Sequence, residues 1–91
     1  MTPESGLYLD MKIIGSSCHK ALVALLIRNR EQKGLRQRDV AKRLGEYQSF
    51  IARIESGQRR IDVCEFLKIA KAIGFNPGRE LNKLFREAPP D

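Results

Sequence analysis

Gly45 stands between two stretches of helical spacing that are each only about eight residues long, and this arrangement limits the chain more than any other feature. Before it, Gln37 to Leu44 puts Val40, Ala41 and Leu44 on one face. After it, a second short helix starts near Gln48, turns Ile51 and Ile54 inward and closes at Ser56-Gly57. A glycine directly after the last apolar position suits the positive φ of a helix C-terminal turn. Counted from Gln37, the small Ala41 is the fifth residue, Gly45 the ninth, Ile51 the fifteenth and Ile54 the eighteenth. Ala41 lets a second helix cross closely, Gly45 makes the turn, and the two isoleucines anchor the second helix while leaving its other face open. Two such short helices crossing steeply bury little by themselves, so longer helices must hold them on both sides.

The flanking sequence supplies those helices. Ser16 or Ser17 is a candidate N-cap for a helix that carries Leu22, Leu25, Leu26 and Asn29 on one stripe and runs to about Lys33, ending at Gly34. After the basic loop Gln58-Arg59-Arg60, Asp62 caps a fourth helix, and Glu65 three residues on has capping-box spacing. Phe66, Leu67, Ile69, Ala70 and Ile73 form its apolar face, and Gly74 stops it. A fifth helix is expected from Pro77 or Gly78 to about Glu87, with Asn76 as its cap and Leu81, Leu84 and Phe85 as its stripe. That stripe suits either the core or a dimer seam. The expected fold is therefore all-α: a compact five-helix bundle containing a helix-turn-helix, preceded by a short N-terminal arm or strand. By region, residues 1–16 are read as the arm, 17–88 as the domain and 89–91 as a disordered tail. Within the arm, the alternation Leu7-Tyr8-Leu9-Asp10-Met11-Lys12-Ile13-Ile14 suits a short strand that needs a partner edge.

A chain of 91 residues has room for one core. Its net charge of +6 is concentrated: residues 28–60 carry ten basic side chains against four acidic ones, and the rest of the chain balances seven against seven. A basic segment between neutral ones is what a phosphate-binding face produces, although RNA or an acidic protein fits charge alone equally well. The longest apolar run, Ala21 to Ile27, is far too short to span a bilayer, and residues 1–17 have no signal-peptide pattern. The expected location is the cytoplasm. Cys18 and Cys64 are too few for a disulfide scaffold, and only His19 could join them toward a zinc site. Both thiols are expected to be buried or half-buried, and His19 exposed. No metal, cofactor or catalytic residue is expected: there is no nucleophile–base pair, metal cluster or phosphate loop.

On physical grounds, the start of the third helix offers free amides and the positive end of a dipole. Gln48 suits bidentate contact with an adenine edge, and Arg53 with guanine O6 and N7. Ser49 and Ala52 are small enough for close approach, and Ala52 suits a thymine methyl. The chain also resembles the lambda-repressor-like (Cro/Xre-type) helix-turn-helix family of transcriptional regulators over about residues 20–75. The resemblance rests on Arg30, Gly34-Leu35, Gln37, Val40-Ala41, Leu44-Gly45, Gln48-Ser49, Ile51, Ile54-Glu55, Gly57, Ile69-Ala70 and Ile73-Gly74. It implies a bundle of four or five helices that binds operator DNA, commonly as a homodimer. Gln48, Ser49 and Arg53 match the family's base-reading positions. Gln37 matches the position that binds a phosphate and props the residue equivalent to Gln48. Arg30 and Glu55 match a structural ion pair between the first and third helices.

Arg59 and Arg60, with Arg38, Arg43 and Tyr47, are candidate phosphate contacts. The chain departs from the family's pattern at Arg36, where a serine or threonine cap is usual, at Glu46-Tyr47 in the turn, and at Phe50, a position often polar. Phe50 suits either thymine methyls and sugars or packing on the turn. The functional expectation is sequence-specific binding of double-stranded DNA by a transcriptional regulator, with repression by blocking polymerase the simplest mechanism. The alternative is an antitoxin-like adaptor that kept the fold and binds a toxin or another protein.

Overall fold

The computed structural model describes residues 16–87, which form five helices: α1 (Ser17–Gln32), α2 (Gln37–Leu44), α3 (Gln48–Glu55), α4 (Val63–Ile73) and α5 (Pro77–Glu87). The expected arm and the C-terminal tail lie outside the described residues, apart from Ser16. Among the described residues there is no strand, and no helix is long and apolar enough to cross a membrane.

Several of the helix ends have a local cause. Ser16 caps α1, its Oγ accepting from the His19 amide at 3.0 Å. At α4, Asp62 accepts from the Glu65 amide at 2.8 Å, and the Glu65 carboxylate accepts from the Asp62 amide at 3.2 Å. These reciprocal bonds satisfy two amides that have no partner inside the helix. Asn76 Oδ1 accepts from the Arg79 amide at the start of α5. Arg36 cannot accept a bond in this way, and its side chain caps nothing; instead its own amide donates to Asp39 at 2.7 Å. The acid at the third helical position thus supplies half of what a serine cap box would.

Gly45 ends α2 at φ 70° and ψ 30°, and the following amide of Glu46 returns to the Ala41 carbonyl at 2.9 Å. A Cβ at this position would meet no atom within 4 Å. Backbone strain alone therefore penalises a side chain here. Gly45→Ala is expected to cost about 1–2 kcal/mol, read as a lower urea midpoint with an unchanged slope.

The core gathers Val23, Leu25 and Leu26 of α1, Val40 and Ala41 of α2, Ile51 and Ile54 of α3, and Phe66, Ile69 and Ile73 of α4, closed by Ile61 from the loop. Helix α2 packs against both α3 and α4, while α1 touches α3, α4 and α5. The two short helices are thus wedged between longer ones. On α5, Leu81 and Leu84 are half-buried against this core, whereas Phe85 is 85% exposed. Asn29, buried on α1, donates to the Leu25 carbonyl at 2.9 Å and to Glu80 of α5 at 2.8 Å, tying the first and last helices together.

Two expectations are overturned. Cys18 and Cys64 are both exposed: each lies in the first turn of its helix, on the side away from the core. His19, expected to be exposed, is only 5% exposed and accepts from the Ile61 amide at 3.4 Å through Nε2. His19, Val23 and Leu26 share one helical stripe, so α1 carries the imidazole inward with its aliphatic neighbours. Burial, and secondarily the charge of Arg60, hold its pKa below the ordinary 6.5. The native state therefore keeps His19 neutral, and the unfolded chain takes up the proton first as pH falls. Stability is fully present above about pH 6.5, declines below it and levels off beneath the native pKa. Between about pH 7 and pH 5 the wild-type denaturation midpoint is expected to fall further than that of His19→Gln. Equal falls in the two proteins would show that His19 is not the group responsible.

Candidate nucleic-acid interface

Helix α3 is eight residues long, or about 12 Å, and its diameter of about 10–12 Å, as for any α-helix, fits the roughly 12 Å width of the B-DNA major groove. Ile51 and Ile54 fasten one side of it to the core. The opposite side carries exposed Gln48, Ser49 and Arg53, with half-buried Ala52 between them. Tyr47 is the N-cap residue, exposed over 84% of its surface, and its side chain makes no capping hydrogen bond. Tyr47 thus puts no side-chain acceptor on the first amides of α3, of which that of Phe50 returns to the Tyr47 carbonyl at 3.0 Å.

A line of hydrogen bonds runs from α1 to the start of α3. Arg30 Nε donates to Glu55 Oε2 at 2.6 Å, and Arg30 Nη2 donates to Glu55 Oε1 at 2.8 Å. The third guanidinium branch, Nη1, donates to the Leu35 carbonyl at 2.8 Å. Glu55 Oε1 also accepts from Gln37 Nε2 at 3.0 Å, and Gln37 Oε1 accepts from Gln48 Nε2 at 3.3 Å. The Arg30 and Glu55 side chains retain only 13% and 9% exposure, and the bond to Glu55 raises the Arg30 pKa above its usual value. Gln37 is half-buried and Gln48 exposed, so the line passes from the interior to the surface.

The remaining basic residues divide by partner. Arg38 is exposed in the first turn of α2, beside Gln37. Arg53 is exposed and makes no ion pair with any described residue. Arg59 reaches Glu65 of α4 at 2.6 Å, and its guanidinium lies 4.8 Å from the centre of the Phe50 ring. Phe50 is thus half-buried against the core, with an arginine over its ring. The Arg59 guanidinium holds the Glu65 carboxyl below its usual range, and the bond to Glu65 in turn raises the Arg59 pKa. Arg60 is exposed beside it. Arg43 donates to the Ala72 carbonyl at 2.7 Å and so engages the last turn of α4 rather than Gln37 or Gln48. The tie from Arg59 through Glu65 had a readable component, because Glu65 was already marked by the capping box. The partner of Arg43 lies 29 residues along the chain, and no local pattern signals it.

Two short helices joined by a glycine turn, with the second fastened by one face and open on the other, define a helix-turn-helix domain. The Helix-turn-helix family model matches residues 26–79. A solved structure described as an XRE-family like protein from Pseudomonas syringae pv. tomato str. DC3000 superposes with a TM-score of 0.79 at 38% sequence identity, over 87% of this chain and 96% of that one. No curated protein matches the sequence. The chain belongs to the XRE (Cro/C1-type, lambda-repressor-like) family of helix-turn-helix proteins, DNA-binding transcriptional regulators.

Proposed function

We propose that this protein is a sequence-specific operator-binding regulator that lays α3 in the major groove of double-stranded DNA and acts as a repressor by occluding polymerase. The observation that carries this reading is the bond between Gln48 and Gln37, which holds a base-reading amide at the exposed start of α3. From there Gln48 suits an adenine edge and Arg53 a guanine, while Ser49 and Ala52 let the backbone come close. Gln37, Arg38, Tyr47, Arg59 and Arg60 take phosphates on either side, with Arg43 a more distant contributor. Two copies, related by a twofold axis, set their α3 helices into successive major grooves. The cytoplasm is the compartment where such a regulator meets its operator.

Selection of random duplexes on the purified protein at two salt concentrations tests this. The expected result is an enriched palindrome with half-site centres about 10 bp apart. Salt-sensitive retention without an enriched motif would reduce the function to nonspecific binding. No binding at either salt would favour the adaptor with a protein partner. Gln48→Ala is expected to cost about 1–3 kcal/mol on the selected site and to relax one base position. Arg38→Ala is expected to weaken all sequences alike and to flatten the salt slope by about one.

A further inference from the structure

We propose that Glu55, which lies behind the DNA-facing surface, is a positioning residue that sets the direction in which Gln48 presents its amide to a base. This inference rests on Gln48 being a base reader. An amide side chain can be turned end for end at little steric cost, because its oxygen and nitrogen are nearly equal in size. A reader free to turn offers donor and acceptor in either order and discriminates poorly. The hydrogen-bond line removes that freedom by the logic of donors and acceptors. An ionised carboxylate only accepts, so the Gln37 group facing Glu55 Oε1 must be its NH2, at 3.0 Å. That choice turns Gln37 Oε1 outward. The oxygen also only accepts, so the Gln48 group facing it must again be NH2, at 3.3 Å. Gln48 is left with one N–H and its carbonyl oxygen, in fixed order, for the groove. That set complements the N7 acceptor and N6 donor of adenine.

Arg30 makes the arrangement unambiguous. Its fork engages both carboxylate oxygens, at 2.6 and 2.8 Å, and so fixes the direction in which Glu55 points. The same side chain is tied to the Leu35 carbonyl, so the guanidinium is anchored to the chain that leads into α2. The ion pair thus joins α1 to α3 and also starts a polarity that two glutamines pass to the surface. A glutamine at position 55 would keep the shape of the side chain but could face Gln37 with either end. The direction of Gln48 would then no longer be dictated.

The test is a random-duplex selection on wild type, Gln48→Ala, Glu55→Gln and Gln37→Met, each verified as folded by circular dichroism. Gln48→Ala identifies the base pair that Gln48 reads, as the position whose preference disappears. At that position Glu55→Gln and Gln37→Met are expected to lower the ratio of preferred to next-best base roughly five- to tenfold, with base preferences elsewhere unchanged although Gln37→Met, losing its phosphate contact, binds all sequences more weakly. Glu55→Gln added to Gln48→Ala is expected to change the base profile no further, since the two act in series. A merely structural Glu55 would weaken every position together and would add to Gln48→Ala. Folded Glu55→Gln and Gln37→Met proteins that keep the wild-type preference would overturn the relay. Should Glu55→Gln fail to fold, Arg30→Met with Glu55→Leu decides in its place, because it removes the acceptor facing Gln37 while leaving both glutamines intact; a folded double variant that keeps the wild-type preference would overturn the relay. A Gln48→Ala protein that loses no preference overturns the base-reading assignment itself, which is a separate result.

Discussion

Arg30→Ala is expected to remove about 2–4 kcal/mol of folding stability, a large share of the roughly 5–10 kcal/mol available to a domain of this size. The side chain makes three hydrogen bonds, two to Glu55 and one to the Leu35 carbonyl. Its loss leaves the Glu55 carboxylate, whose side chain is only 9% exposed in the native protein, with Gln37 as its one remaining side-chain donor. Most of the cost is the desolvation of that abandoned charge rather than the attraction within the pair, which is already offset in the native state. The estimate sits below the full range for buried pairs because both side chains keep some contact with water. The melting temperature should fall by on the order of 10–25 °C. Arg30→Met with Glu55→Leu should recover much of the loss, since it removes both charges and restores apolar volume. A double variant no more stable than Arg30→Ala would show that the bond to Leu35, rather than the stranded carboxylate, sets the cost.

Ile54→Ala is expected to cost about 2–5 kcal/mol. Ile54 is 1% exposed and lies in the core cluster with residues of α1, α2 and α4. With only eight residues, α3 has one other buried anchor, Ile51, so little packing remains to close the space left behind. The variant should show a lower urea midpoint and a proportionate loss of DNA affinity, because α3 then opens more readily. Val63→Ala, at a side chain 70% exposed on α4, should stay within about 0.5 kcal/mol of wild type. Equal losses at the two positions would contradict the assignment of Ile54 to the core.

The helices were readable because their causes are local. Asp62 with Glu65, and Gly45 after Leu44, act within a few residues of the boundaries they mark. The apolar spacing of Val40-Ala41, Ile51 and Ile54 was enough to indicate which faces turn inward. Where local reasoning failed, the relevant information was the angular position of a side chain on its helix. Cysteine is commonly buried, but Cys18 and Cys64 stand on outward-facing positions. Histidine is commonly exposed near a helix start, yet His19 falls on the stripe of Val23 and Leu26. Residue type misled in both cases, and the helical period would have corrected the second.

The sequence by itself determined five helices, the glycine turn between the short pair, the basic segment from 28 to 60 and which polar side chains stand on the proposed reading face of α3. Tertiary structure alone decided which polar groups meet. Asn29 finds Glu80 across 51 residues, Arg43 finds a carbonyl in α4, and Gln37 stands between Glu55 and Gln48. The physical reason is one of range. Helix formation and capping depend on neighbours within one turn. A hydrogen bond between helices requires two donor and acceptor atoms to meet within about 3 Å, and that depends on crossing angles set by the packing of the whole core.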